Sequence, residues 1–259
     1  MSSFLSSFFR KPVAPDAIVA KPRSARITLS PLYSAIYAVG DIHGCEEELE
    51  RMEDVILADG SDLAGEKLVI FLGDYIDRGP ASAGVIDRLL TPLPAGFRRL
   101  CLKGNHDQMF VDFLASPSKE SPWLELGGWE TLASYGIYPD TAARGLATKL
   151  KAYIPDEHID FLSNLPVMAT VGTFCFMHAG IDPALPLDDQ DDAVLMTSRP
   201  RNFDWSLYRG THTIVHGHTP VERIELSGKR INVDLCAYQT GRLAGVRIKD
   251  GELSVVLSR

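Results

Sequence analysis

Residues 66–79 read "EKLVIFLGDYIDRG", an apolar run that reaches a Gly and continues as a polar loop. A short continuous apolar run bounded by such a turn is typical of a strand buried on both faces. The next residues, "PASAGVIDRLLTPL", are typical of a helix with Pro80 at its start, where an absent N–H leaves no bond unmade. The stretch therefore predicts a strand, a polar loop and a helix in succession.

The same plan occurs twice more. "SAIYAVGDIHG" (34–44) precedes an amphipathic helical pattern, and "FRRLCLKGNHDQMFVDFLA" (97–115) contains both strand and helix. Successive βα units predict parallel strands, and right-handed crossovers place the three polar loops at one edge of their sheet. Residues 116–165 look mostly helical, as a cap beside that edge, and short β-rich segments after Pro166 predict a second sheet packed on the first. The predicted fold class is therefore mixed α/β (α+β) with two stacked sheets.

Composition limits the classes of function. The chain has 259 residues and a net charge of -8, which argues against a general nucleic-acid binder. No apolar run reaches the ~18 residues that a transmembrane helix needs. Four scattered cysteines without a CxxC pair indicate reduced thiols in a cytoplasmic protein. Residues 1–33, interrupted by prolines, are expected to form a flexible tail ahead of a catalytic domain over 34–259.

Side chains able to bind metal end each predicted strand. The three loops supply Asp41 with His43, Asp74 with Asp77, and Asn105 with His106; His178 and His218 occur in later strands. These oxygen and nitrogen donors favour Mn, Fe or Zn over a thiolate site. Two divalent ions ~3.5–4 Å apart need an anion between them, and neutral His and Asn ligands keep the site open to a phosphate. Each motif alone could be a turn or a helix cap, but the three together point to a metal centre.

The combination "GDIHG", "GDYIDRG", "GNHD", "HAG" and "GHT" resembles the phosphoprotein phosphatase family of calcineurin-like metallophosphoesterases, in particular its bacterial and phage-type or Rhizobiales-like branches. The resemblance spans about residues 33–259. It implies a two-sheet β-sandwich flanked by helices, with two divalent ions, most simply Mn, and direct attack of a dimetal-bound hydroxide on phosphorus.

Roles for individual residues follow from that resemblance. Asp41 and His43 would bind the first metal, Asp74 would bridge both, and Asn105, His178 and His218 would bind the second. His106 would protonate the leaving group, and Asp77 would hold the His106 ring in the required tautomer. Arg78, Arg199 and Asn105 would bind the substrate phosphate. Arg201 is the alternative to Arg199, and His216 is expected behind the ligands or in the core.

The resemblance favours a phosphoprotein phosphatase acting on phospho-Ser, phospho-Thr or phospho-Tyr, because "GDYIDRG" keeps both Asp77 and Arg78. A symmetrically cleaving diadenosine tetraphosphate hydrolase is the alternative, favoured by Asp107 in "GNHD". An inactive phosphopeptide-binding scaffold is a remote third. Residues 116–165 and 183–212 are expected to read the substrate, and the sequence leaves the oligomeric state open.

Overall fold

The computed structural model describes residues 24–138 and 145–259. Its strands are β1 (Arg26–Leu29), β2 (Ala35–Val39), β3 (Lys67–Phe71), β4 (Phe97–Cys101), β5 (Met168–Val171), β6 (Phe174–Met177), β7 (Thr213–His216), β8 (Glu225–Ser227), β9 (Arg230–Asn232), β10 (Ala244–Lys249) and β11 (Glu252–Leu257). Its α-helices are α1 (Glu46–Gly60), α2 (Ser82–Leu90), α3 (Asn105–Ala115), α4 (Trp129–Ser134), α5 (Leu146–Tyr153), α6 (Asp156–Ser163), α7 (Asp192–Thr197) and α8 (Ala237–Thr240). A π-helical turn covers Leu124–Gly128, and 3-10 turns cover Leu187–Asp189, Pro200–Asn202 and Trp205–Leu207.

The first sheet has the strand order β11-β10-β2-β3-β4. β2, β3 and β4 run parallel with α1 and α2 as crossovers, which confirms the predicted βα units. Along β3, Leu68 and Ile70 face the second sheet, whereas Val69 and Phe71 pack under the helices. The unbroken apolar run of β3 therefore follows from burial of both faces of its sheet.

The second sheet has the order β1-β5-β6-β7-β9-β8. Its inner face packs on the first sheet through fully buried side chains such as Phe176 and Val215. Its outer face, with Met177 and Ile214, packs against Leu195 of α7. The structure is thus two sheets flanked by helices, and the predicted fold class is confirmed.

The segment 116–165 contains the π-helical turn, α4, α5 and α6, in line with its helical pattern. One tight contact joins it to the loop after β3. The N–H of Arg78 donates to the carbonyl oxygen of Gly127 at 3.3 Å, and Gly127 has a φ of 114°. A Cβ on Gly127 would lie 2.5 Å from the Arg78 nitrogen, so only Gly fits there.

The described residues include a strand before the expected domain boundary at residue 34. β1 pairs in parallel with β5, and Arg26 forms a 2.7 Å ion pair with Asp192 of α7. Residues 1–23, where most of the expected flexible tail falls, lie outside the described residues. None of the helices described in the two ranges is long and apolar enough to cross a membrane.

Candidate metal centre and active site

The loops after β2, β3 and β4 meet at the carboxyl edge of the first sheet. The backbone N–H groups of Ile42 and His43 donate to the carbonyl oxygen of Asp74 at 3.1 and 2.8 Å. Several site residues have left-handed backbone conformations that are costly for residues other than Gly, and such strain is concentrated at functional loops. Their φ angles are 46° for His43, 52° for Asp74, 72° for Asp77, 69° for Arg78 and 63° for His218.

Two groups of side chains could each hold a metal ion, and Asp74 belongs to both. The first is His43, Asp74 and His106, and the second is Asp74, His178 and His218; within each group the ligand atoms lie within 4.8 Å of one another. Asp74 Oδ2 lies 3.5 Å from His43 Nε2 and 3.2 Å from His178 Nε2. This shared position is what a bridging carboxylate requires.

The donors of the second group converge on one point. His178 Nε2 lies 3.1 Å from Asn105 Oδ1 and 3.1 Å from His218 Nδ1, as well as close to Asp74. One ring nitrogen cannot satisfy three such partners with a single proton, but a divalent cation among them can. His178 Nδ1 lies 3.1 Å from the carbonyl oxygen of Leu72, which fixes the proton there and leaves Nε2 for a metal. The donor set therefore fits a divalent ion.

Asp41 stands beside this group, where its carboxylate accepts the N–H of His218 at 3.0 Å. Burial, reinforced by Asp234, raises the pKa of Asp41 well above its usual range. Burial also opposes the charge on Asp74, but His178 and His106 outweigh it and hold the pKa of Asp74 well below the usual range. These crowded buried carboxylates call for nearby positive charge, which divalent ions supply.

The pKa values of the three ligand histidines shift in different directions. Burial lowers the pKa of His43 to about 3 and that of His218 to about 3, so both are neutral imidazoles, the form that binds metal. Burial opposes the charge on His178 as well, but Asp74 and Asp41 raise its pKa to about 10. Positive charge is therefore favoured beside Asp74, at the point where the ligand atoms meet.

His106 and Asp77 form a closed pair. His106 Nδ1 lies 2.6 Å from Asp77 Oδ2, and Asp77 also accepts from Trp123 Nε1 at 2.7 Å and from Thr131 Oγ1 at 2.6 Å. Burial opposes the charge on His106, but Asp74 and Asp77 together raise its pKa above the usual value. The pair can thus hold a proton on His106 with its Nε2 directed away from Asp77.

Arg78 faces that second nitrogen. Its Nη2 lies 3.0 Å from His106 Nε2, where the guanidinium donates and Nε2 accepts as long as that nitrogen carries no proton, and its Nη1 donates to the Tyr238 hydroxyl at 3.1 Å. The guanidinium carbon lies 4.8 Å from the centre of the Tyr238 ring, within cation–π range. Arg78 is half-buried, so its planar fork is held next to the proposed proton donor and can bind a phosphate.

Asp107 has a structural place between the loops. It is fully buried and accepts the N–H groups of Asp74, Tyr75 and Gly104 at 2.9, 3.0 and 2.8 Å. It therefore ties the loop after β3 to the start of α3. Its carboxylate is directed at backbone rather than at the ligand atoms.

The positions of Arg199, Arg201 and His216 show which of them lie near the predicted ligands. Arg199 is half-buried and close enough to His218 to help lower its pKa, whereas Arg201 is exposed. His216 Nδ1 lies 2.9 Å from the carbonyl oxygen of Gly217, and His216 belongs to neither metal group. The left-handed φ at His218 breaks the strand alternation, so the two histidines do not share a face.

Four further residues contribute to the site without having been predicted: Asp234, Tyr238, Trp123 and Thr131. Asp234 follows β9, and a polar residue after a strand is a signal that could have identified it. The ring centre of Tyr238 lies 5.3 Å from that of His43. Trp123 and Thr131 come from the helical segment and carry no motif, because only folding brings them to Asp77.

The family model for calcineurin-like phosphoesterases matches residues 34–241. The chain belongs to this family. The roles of its individual residues remain predictions from the motifs, supported by the geometry above.

Several relatives of known name are bis(5'-nucleosyl)-tetraphosphatases. The asymmetrical bis(5'-nucleosyl)-tetraphosphatase PrpE of Oceanobacillus iheyensis is 26% identical over 241 residues, covering 85% of this chain and 91% of the relative. A symmetrical bis(5'-nucleosyl)-tetraphosphatase of Methylococcus capsulatus is 29% identical over 150 residues, covering 58% of this chain and 44% of the relative.

Solved structures share the fold. A candidate diadenosine tetraphosphatase matches with a TM-score of 0.64 and 24% identity, over 90% of this chain and 98% of that one. A protein serine/threonine phosphatase from Saccharomyces cerevisiae matches with a TM-score of 0.57 and 16% identity, over 91% of this chain and 84% of that one. The predicted likeness to the phosphoprotein phosphatases is confirmed at the level of the fold.

The predicted main function is wrong. The relatives that align with most of this chain are named as nucleotide hydrolases, not as phosphoprotein phosphatases, and a phosphoprotein substrate is not supported. The reason is physical: the roles predicted for Asp77 and Arg78 concern the phosphoryl group, which protein and nucleotide substrates have in common. The motif containing them cannot tell one leaving group from another.

Proposed function

We propose that this chain hydrolyses the polyphosphate chain of bis(5'-nucleosyl) tetraphosphates. The observation that carries the proposal is the likeness to PrpE, which extends over 85% of this chain and 91% of the relative. The geometry is compatible, since ligand groups around Asp74 and the fork of Arg78 form a site for a phosphoryl group.

The donor set favours Mn²⁺, with Fe or Zn as alternatives. We assign Asp41 and His43 to the first ion, Asp74 to both, and the remaining predicted ligands to the second: Asn105, His178 and His218. Bound there, two divalent ions supply Lewis-acid polarisation of a phosphoryl oxygen and a lowered pKa for the attacking water.

The chain's own residues then bind the substrate and move a proton. Arg78 grips phosphoryl oxygens in a planar fork, and Arg199 adds positive charge on the side of His218. His106 donates the proton from Nε2 to the departing phosphate oxygen, while Asp77 keeps the proton on Nδ1 and the ring in place. The catalytic domain is proposed to be residues 34–259, with β1 adding a strand to its second sheet.

Asymmetrical cleavage is favoured over the symmetrical cleavage considered first. The asymmetrical relatives align along nearly the whole chain, whereas the symmetrical one aligns over 58% of it. The two outcomes are chemically distinct, because diadenosine tetraphosphate yields ATP and AMP in one case and two ADP in the other.

The test is product analysis. Purified protein with Mn²⁺ is incubated with diadenosine tetraphosphate, and nucleotides are separated by anion-exchange chromatography. ATP and AMP in equal amounts are expected, and Asp74→Asn should lower the rate by at least about 10²–10³-fold through loss of the bridge. Two ADP would support the symmetrical reaction. Absence of any nucleotide product with Mn, Fe or Zn, from protein that still hydrolyses p-nitrophenyl phosphate, would overturn the proposal.

A further inference from the structure

A groove on the outer side of the second sheet combines aromatic and cationic side chains. It has a volume of about 790 Å³, and we call it the basic–aromatic groove; its main lining residues are Pro200, Trp205, Tyr208, Arg209, Lys229 and Arg230. The chain as a whole has a net charge of -8, so three cations around one groove are a local reversal of charge. Aromatic rings beside cations are what a nucleotide needs, because the base stacks while the phosphates are attracted.

Trp205 is the centre of the groove. The indole is half-buried against the apolar cluster under the outer face, and its ring centre lies 6.0 Å from that of Tyr208. The Arg230 guanidinium carbon lies 5.7 Å from the indole centre. Among the described residues, the indole N–H has no hydrogen-bond partner although the atom is buried. A buried donor without a partner is costly, and a shift of the ring towards the groove would let a ligand acceptor satisfy it.

Lys229 and Arg230 differ in the groups that they contact. Lys229 Nζ donates to the carbonyl oxygens of Gly210 and Thr211 at 3.3 and 2.5 Å, so it neutralises no carboxylate in these contacts. Arg230 pairs with Glu225 at 3.0 Å at one end of its guanidinium. Lys229 is therefore uncompensated by a carboxylate in these contacts, whereas Glu225 offsets part of the charge of Arg230.

Two connections link the groove to the proposed metal centre along β7, since Arg230 pairs with Ile214 near the start of that strand and His218 follows its end. Pro200, in its lining, directly follows Arg199, which influences His218 electrostatically. Arg230 Nη1 lies 3.4 Å from His216 Nε2, and His216 is two residues before His218. Two residues span at most about 7 Å of chain. A substrate whose phosphate lies at the metal centre can therefore extend past Arg199 into the groove.

We propose that the basic–aromatic groove binds the nucleoside of the substrate that lies farther from the cleaved bond. The base stacks on Trp205, and Lys229 and Arg230 attract the phosphates that lead to it. This inference rests on the proposed function. It also gives the expected segment 183–212 a definite part in substrate recognition.

Two variants test the groove, each measured on two substrates. Trp205→Leu should lower kcat/KM for diadenosine tetraphosphate about 10- to 100-fold, the usual range for loss of one stacked base, mainly through KM. Hydrolysis of p-nitrophenyl phosphate, which has no nucleoside, should stay within about twofold and reports on the fold and the metal centre. Trp205→Phe keeps a stacking ring and should restore most of the activity.

Charge is tested with a matched pair of lysines. Lys229→Gln should weaken the use of diadenosine tetraphosphate, and the loss should shrink as salt concentration rises. Lys249→Gln removes a lysine in β10 on the other sheet, where the side chain pairs with Asp250 at 3.3 Å, and should leave both substrates unchanged. Equal effects of the two changes would mean that only net charge matters, which would refute a specific role for Lys229.

Inhibition separates this proposal from the proposed function. ATP should inhibit p-nitrophenyl phosphate hydrolysis. The Trp205→Leu change should raise the inhibition constant of ATP about tenfold or more, whereas the inhibition constant of inorganic phosphate should stay unchanged. If wild-type protein cleaves diadenosine tetraphosphate and Trp205→Leu changes neither its kcat/KM nor the ATP inhibition, the groove proposal is refuted alone. If the tetraphosphate is not cleaved, the proposed function fails, and the ATP measurement still decides whether the groove binds a nucleotide.

Discussion

Replacing His106 by Asn should slow hydrolysis in proportion to how much each leaving group needs a proton. The change removes an imidazole whose Nδ1 lies 2.6 Å from Asp77 and whose Nε2 faces Arg78. General-acid catalysis is worth about 10²–10⁴-fold in rate. That factor corresponds to about 3–5 kcal/mol of transition-state stabilisation.

The fold should survive this change. Asp77 keeps its bonds from Trp123 and Thr131, and the Asn amide can replace the lost donor. The free energy of unfolding should therefore fall by no more than about 1–2 kcal/mol. Denaturant unfolding followed by circular dichroism measures it.

The kinetic assay compares three substrates whose leaving groups differ in how much they need a proton. Turnover of an alkyl phosphate, whose alkoxide leaving group needs a full proton, should fall by the whole factor of about 10²–10⁴. Diadenosine tetraphosphate releases a phosphate whose own pKa is about 6, and p-nitrophenyl phosphate releases a stable phenolate, so both should lose about tenfold or less. Because the pKa of His106 is raised, wild-type turnover of the alkyl phosphate should fall as pH rises through that pKa, and the variant should lack this limb.

Equal losses on all three substrates would refute the proton-donor assignment. Metal analysis of the same samples then identifies the cause, since His106 also stands in a possible metal group with His43 and Asp74. If His106→Asn has lost one ion per chain relative to wild type, His106 is a ligand. Unchanged metal content, together with unequal losses of turnover on the three substrates, supports His106 as the proton donor.

Three further predictions concern the framework of the site. Asp107→Asn should lower the free energy of unfolding by about 2–4 kcal/mol in denaturant titrations, because an amide cannot accept all three buried N–H bonds; an unchanged midpoint would contradict this. Gly127→Ala should cost about 1–3 kcal/mol of stability and lower turnover, since its φ of 114° and the backbone of Arg78 leave no room for a Cβ; normal kinetics would show that this contact is unimportant. Burial opposes the charge of Asp192, but the N–H of Ser24 and the guanidinium of Arg26 outweigh it and lower the Asp192 pKa. Its stabilisation, about 0.5–1 kcal/mol, is therefore present above the unfolded pKa and lost as pH falls through the folded one. Asp192→Asn should remove this acid-side decline, and parallel pH–stability curves for the two proteins would contradict the ion pair.

The substrate class shows where sequence reasoning failed. Asp77 and Arg78 indicated a site for a phosphoryl group, but the roles predicted for them concern only what all phosphate substrates share. Discrimination between a peptide and a nucleoside needs surfaces outside the motifs, and the groove around Trp205 is the one that we propose for this role. Those residues follow no spacing rule, so whole-chain similarity to the tetraphosphatases was needed to correct the function.

The sequence by itself determined the βα units, the common edge of their loops and the polar residues on each loop. It could do so because parallel strands buried on both faces leave a strong local pattern, and because crossover handedness fixes where their ends lie. Only the tertiary structure brought Trp123 and Thr131 to Asp77, added β1 to the second sheet and assembled the groove around Trp205. These contacts join residues far apart in the chain, and their partners are selected by packing, which no local pattern records.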